Sequence, residues 1–265
     1  MGEYQTISLD ATRAGVAIVT LNRPDKHNAF NALVIQELAD AFENLRPETQ
    51  LRMVVLRGNG KSFSAGADLE WMKAAAHYTQ KENEEDAFQL AEMLRRLYEL
   101  PQLTVALVQG AAMGGGAGLV AACDVAVAMK SAMFRFSEVR LGLTPATISP
   151  YVIEAIGPRM AKALFMTGES FDAGFAETMG LVQYVVDDAD GMAEMEEHLS
   201  ALMFDTAPGA VADAKRLVQD VTGLEINRSL SQETAKRIAA RRASDEGREG
   251  LAAFLEKRRP SWADS

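Results

Sequence analysis

Two glycine-dense runs set the tightest limits on how this chain folds. The first is Ser62-Phe63-Ser64-Ala65-Gly66-Ala67-Asp68, and the second, Met113-Gly114-Gly115-Gly116-Ala117-Gly118, follows about fifty positions later. Each comes shortly after an apolar, β-like segment, residues 53–56 and 104–108. Small residues beyond a buried strand let backbone approach a ligand, or another backbone, with no side chain between. Two N–H donors converging from separate loops can form an oxyanion hole, which stabilises negative charge on a carbonyl oxygen. The same runs would also permit close packing of strand on helix.

Composition narrows the field. Of 265 residues, 48% are hydrophobic and 24% charged, the balance of an ordinary globular domain. Apolar stretches break well before the ~18 residues a membrane helix needs. The N-terminus lacks a basic start and an apolar h-region, so no signal peptide is expected. Cys123 is the only cysteine, which rules out an internal disulfide and suits the cytoplasm. A net charge of −10 argues against nucleic acid as a partner. The charge is uneven, however: from residue 231 onward eight basic residues face six acidic ones, so a phosphate-bearing ligand could be met there.

The hydrophobic pattern predicts strands over residues 4–9, 15–21, 53–56, 104–108, 124–129 and 182–186. Between them it predicts a helix capped by Asn31 and running to residue 45, another over 84–100, and a small-residue helix after the second glycine run. Helices are then expected over 149–156, 159–166, 172–179, 191–205, 209–221, 227–243 and 247–258. Strand–helix alternation followed by a helical tail gives an α/β class, with a core over 1–190 and an α-helical region over 191–265. No internal repeat is legible.

Other readings fail. Gly60-Lys61-Ser62 ends like a phosphate-binding loop, but the required first glycine is Val55. Gly116 to Ala121, with Glu138 beyond, fits a loose dinucleotide fingerprint without the tight strand-to-helix turn it needs. His27, His77 and His198 are far apart, and no His/Cys spacing suggests a metal site. Cys123 reads as a small core residue.

Five ordered segments carry a family resemblance: Leu21-Asn22-Arg23-Pro24-Asp25-Lys26-His27-Asn28-Ala29, the first glycine run, Gly114–Gly116 with Cys123-Asp124, Ser137-Glu138-Val139-Arg140-Leu141-Gly142-Leu143-Thr144-Pro145, and Phe254-Leu255-Glu256-Lys257-Arg258. Together they resemble the enoyl-CoA hydratase/isomerase (crotonase) family over essentially the whole chain. The resemblance implies a crotonase-type (ClpP-like) spiral of ββα units with an α-helical C-terminal trimerisation region. It further implies a homotrimer or dimer of trimers and an acyl-CoA thioester ligand, with no cofactor beyond the coenzyme A of the substrate and no metal. Carried over by position, the oxyanion donors are the N–H groups of Ala65 and Gly115, and Glu138 is the acid/base. Arg23, Lys26, Ala29, Ser64, Ala67, Asp68, Leu69 and Gly114 fall on the CoA and substrate path. Phe254 and Lys257 match positions that close over the nucleotide end, from the same or a neighbouring subunit.

One departure matters. Family hydratases carry two glutamates, and the first falls where this chain has Gly118. Glu138 alone remains, which fits a single-carboxylate hydratase, a 3,2-enoyl-CoA isomerase, or a weakly active acyl-CoA binder. The segments 114–124, 137–151 and 243–250 resemble bacterial methylglutaconyl-CoA hydratases and their longer isohexenylglutaconyl homologues. Their substrates are branched enoyl-CoAs with a free carboxylate. On that reading the substrate's own carboxylate orients water in space left open by Gly118, with Arg140 or Lys73 as its cationic partner.

Overall fold

The computed structural model describes residues 4–264. Its main sheet has six strands: β1 (Ile7–Asp10), β2 (Val16–Leu21), β3 (Met53–Gly58), β4 (Leu103–Val108), β6 (Val125–Met129) and β9 (Tyr184–Val186), ordered β1-β2-β3-β4-β6-β9. Only β1 runs antiparallel to its neighbour. The central strands β2, β3, β4 and β6 are short and mostly buried on both faces, as parallel sheets require, while the edges β1 and β9 are partly exposed. Alternate side chains separate cleanly. Val19, Leu21, Val54, Leu56, Ala106 and Val108 point to one core. Val16, Met53, Val55, Val105, Leu107 and Val127 point to the other.

The first core is covered by α1 (Ala32–Leu45), α3 (Gln80–Tyr98) and α4 (Gly115–Ala122), with Phe42, Leu97 and Leu119 fully buried. The second is covered by α7 (Ala189–Asp205), through Met192 and Leu199. The helix that opens the C-terminal region therefore closes the far side of the sheet. Beyond it come α8 (Pro208–Val221), α9 (Arg228–Ala243) and α10 (Asp245–Glu256), with few buried side chains of their own.

A second layer of short pairings runs beside the main sheet. β5 (Ala111–Met113), β7 (Met133–Arg135) and β8 (Ser170–Asp172) form a three-stranded sheet, and the bridges Ser64–Ala112 and Phe30–Ala67 extend the same pattern. Long strand, short strand, helix recurs as β4-β5-α4 and as β6-β7-α5, where α5 spans Ser149–Thr167. The ββα spiral is thus present, and the two glycine runs lie in its second layer.

The break expected between 149–156 and 159–166 is present: α5 is two helices separated at Gly157, whose φ of 75° and following Pro158 interrupt the helical path. Several boundaries differ from the sequence reading. The helix expected from residue 84 begins at Gln80, where Thr79 and Glu82 form a reciprocal capping box. A short helix, α2 (Leu69–Ala75), and the three strands of the small sheet were not expected. The helix placed over 172–179 is the shorter α6 (Ala173–Thr178). No described helix is long and apolar enough to cross a membrane.

Candidate active site

Backbone hydrogen bonds stitch the two glycine runs together. Ser64 N–H donates to Ala111 O (2.9 Å), and Met113 N–H donates to Ser64 O (2.9 Å). On the other edge, Phe30 N–H donates to Gly66 O (2.7 Å) and Asp68 N–H to Phe30 O (2.8 Å). In a parallel bridge of this kind the middle residue turns its own N–H away from the partner strand. That residue is Ala67, and its N–H has no acceptor among the described residues.

The second donor is Gly115. Gly114 adopts φ 49° and ψ −119°, open in practice only to glycine, and donates its N–H to Arg135 O (2.8 Å). This turn launches α4, so Gly115 N–H, the first of the helix, has no intrahelical acceptor. It also carries the partial positive charge of the helix start.

Two positions assigned from the sequence are corrected here. Ala65 N–H is already committed to His27 O at 2.9 Å, so it is not a free donor; the free N–H on this loop belongs to Ala67. Ser64 is fully buried, and its hydroxyl donates to Asn28 O (2.9 Å). It holds the loop against residues 27–29 and presents no side chain to a ligand.

Glu138 begins a single 3-10 turn, Glu138–Leu141, closed by Gly142 in the left-handed region. Its carboxyl lies over Gly114, so close that a Cβ there would come within 3.2 Å of Oε1. Oε2 is buried without a hydrogen-bond partner among the described residues. A polar atom in that state is costly and marks a group awaiting a ligand or a water. Burial raises the Glu138 carboxyl above its ordinary value, although its own backbone N–H pulls the other way. That leaves a carboxyl of raised proton affinity over Gly114, one residue before the Gly115 N–H.

Gly118 does not leave open space. A Cβ at residue 118 would lie 2.8 Å from Ile148 Cβ and well inside van der Waals contact of its Cγ2. Ile148 is itself fully buried, so the expected cavity for a substrate-oriented water is filled by an aliphatic side chain. Nothing in the sequence around Gly118 points to a partner thirty residues away.

Beside Asp68 a cleft of about 320 Å3 is lined by Arg23, Lys26, Asn31, Asp68 and Trp71. Arg23 spends its guanidinium within the protein, donating to Ala29 O (2.6 Å) and pairing with Asp68 (2.9 Å). Asp68 also caps α2 through Glu70 N–H (2.8 Å). Ala29 is buried and its carbonyl is taken, whereas Lys26 and Leu69 are exposed. Phe254, 80% exposed, and Lys257 lie on α10 and just after it; neither lines this cleft. Of the two cations weighed for a substrate carboxylate, Lys73 is paired with Glu70 on the surface (2.7 Å). Arg140 donates Nε to Gly168 O (2.9 Å), and Arg135 donates Nε to the same oxygen (2.7 Å). Neither arginine meets a carboxylate among the described residues, so two guanidinium groups gather without a counter-ion. Sequence reading missed Arg135 altogether.

This geometry coincides with known proteins over nearly its whole length. The chain belongs to the enoyl-CoA hydratase/isomerase family, whose model matches residues 11–265. Among solved structures it is similar to an enoyl-CoA hydratase/isomerase (crotonase) from Legionella pneumophila, at 46% identity, TM-score 0.91, covering 97% of this chain and 98% of that one. It is also similar to an enoyl-CoA hydratase from Shewanella pealeana, at 39% identity, TM-score 0.94, covering 98% and 97%. A 2,3-dehydroadipyl-CoA hydratase from Escherichia coli is 31% identical over 93% of this chain and 94% of its own.

Proposed function

We propose that this protein hydrates a branched 2-enoyl-CoA bearing a free carboxylate, 3-methylglutaconyl-CoA or a longer homologue, to the 3-hydroxyacyl-CoA. Glu138 carries the reading: a buried carboxyl oxygen without a partner, over Gly114, which adjoins the free N–H of Gly115 and packs near Gly66, the neighbour of Ala67 in the chain. The thioester oxygen accepts from those two N–H groups, which draws electrons from C3. Glu138 takes a proton from water as the water oxygen bonds to C3. The C2–C3 electron pair shifts to form the enolate, and Glu138 returns the proton to C2. A carboxyl raised by burial suits a group that must accept and then release a proton at neutral pH.

The carboxylate on the substrate rests on two supports. One relative is named for an enoyl-CoA that carries such a group. The arginine pair Arg135 and Arg140, on either side of Glu138 in the chain, has no acid opposite it among the described residues. Lys26 meets the CoA phosphates, while Arg23 and Asp68 shape the cleft. Phe254 and Lys257 close over the nucleotide end from a neighbouring subunit in a trimer or dimer of trimers.

A second reading, 3,2-enoyl-CoA isomerisation by Glu138 alone, is favoured by one observation: Ile148 occupies the place of a second acid. Chromatography of the products from 3-methylglutaconyl-CoA and from a 3-enoyl-CoA separates the two. Appearance of the 3-hydroxyacyl-CoA supports hydration; double-bond migration alone supports isomerisation, and no conversion of either removes both.

A further inference from the structure

We propose that Ile148 determines which reaction this site performs: by filling the volume over Gly118 it excludes a second carboxylate and confines proton transfer to Glu138. The proposal rests on the acyl-CoA reading of the site given above. Gly114 and Gly118 are four residues apart, so they fall on one side of α4 about one turn, roughly 5.4 Å, from each other. Glu138 covers the first and Ile148 covers the second. Ile148 is 1% exposed and sits at the start of α5, where its carbonyl accepts from Val152 N–H (3.1 Å). Its β-branched side chain has few rotamers and cannot swing clear. A water beside Glu138 therefore meets hydrocarbon on this side instead of a second acceptor. Hydration then favours substrates that bring their own polar group, which links Ile148 to the proposed carboxylate-bearing class.

Truncation to alanine would not open the site, because the Ile148 Cβ itself is 2.8 Å from a Cβ at residue 118, whereas its Cα is 3.9 Å away. The informative set is therefore wild type, Gly118→Glu, Ile148→Gly and the double variant. Each is melted, assayed for hydration of crotonyl-CoA (which has no carboxylate), and tested for deuterium exchange at C2 of a saturated acyl-CoA. Gly118→Glu should lower the melting temperature far more when Ile148 is present than in the Ile148→Gly background, a coupling read directly from the cycle. The double variant should gain crotonyl-CoA hydration on the order of a hundredfold over wild type. As a second route, formate added to Ile148→Gly should raise its crotonyl-CoA hydration saturably, by supplying the missing acceptor. The proposal is overturned if Gly118→Glu alone melts like wild type and hydrates as well as the double variant. It is equally overturned if formate has no effect while C2 exchange persists. Absence of C2 exchange in wild type would instead remove the acyl-CoA reading, and that result does not depend on residues 118 and 148.

Discussion

The N–H of Ala65 donates to the carbonyl of His27 at 2.9 Å, and this bond leaves Ala67, two residues along, as the free donor of the loop. His27 is held in the left-handed region, φ 50°, between Pro24 O and the first glycine run, so its carbonyl is not free to release Ala65 at little cost. In a complex with a saturated acyl-CoA, the thioester oxygen is expected about 2.7–3.1 Å from the nitrogens of Ala67 and Gly115, with the Ala65–His27 bond intact. A crystal structure of that complex checks it. An oxygen seated on Ala65 N, with His27 displaced, would contradict the assignment.

Glu138→Gln should lower turnover by about 10²–10⁴ while leaving acyl-CoA binding in place, since only the proton carrier is lost. Calorimetric titration beside a steady-state assay separates the two effects.

The same carboxyl has a pH signature. Burial raises its value above the ordinary 4.5, so the folded protein holds this proton more tightly than the unfolded chain. The associated stability is present in full below the ordinary value and is lost as pH rises through the raised one. Relative to wild type, Glu138→Gln should therefore gain melting temperature as pH increases across that window. Wild-type kcat/KM should fall on the acid side at a pH above 4.5, because hydration starts from the carboxylate. Parallel melting curves and rate profiles would show both trends; a gap independent of pH would refute the buried-carboxyl argument.

Arg23 and Lys26 should part company. Arg23 and Asp68 form a largely enclosed pair with side chains 18% and 11% exposed, and Asp68 is opposed by burial but held below its ordinary value by Glu70 N–H and Arg23. Arg23→Ala should cost about 1.5–3 kcal/mol of stability, because a charge-assisted bond is lost and Asp68 is left unpaired. Lys26→Ala should leave the melting temperature alone and raise KM for CoA thioesters, more so at low salt. Denaturant titrations and KM at two ionic strengths read the contrast.

Arg140→Ala should reduce the preference for 3-methylglutaconyl-CoA over crotonyl-CoA on the order of tenfold to a hundredfold, with crotonyl-CoA turnover little changed. Competition between the two substrates measures that ratio. An unchanged ratio, in both this variant and Arg135→Ala, would detach the arginine pair from substrate choice.

Short apolar runs make β3, β4 and β6 legible in the sequence, and apolar spacing with the Asn31 cap does so for α1; α9 buries no side chain and is marked only by its Asn227 cap. The break at Gly157-Pro158 is legible for the same kind of local reason. The second layer is not. β5, β7 and β8 have three residues each, too few to show an alternation, and α2 buries no side chain that would mark an apolar face. The ββα repetition is one of backbone path, so residues such as Ala112 and Phe134 occupy like places with no likeness of sequence. At the site, Gly114, Gly115 and Glu138 can be placed from their motifs. Ala65 and Ala67 are equivalent on paper until the His27 carbonyl is located, and Gly118 looks open until Ile148 arrives from a distant segment.

In the proposed reaction Glu138, working alone, adds water across an enoyl thioester. Mass spectrometry of wild type and Glu138→Gln with 3-methylglutaconyl-CoA in oxygen-18 water tests it most directly. Wild type should place one heavy oxygen in the 3-hydroxyacyl product, and Glu138→Gln almost none. Label uptake undiminished by the substitution, or conversion without any label, would contradict it.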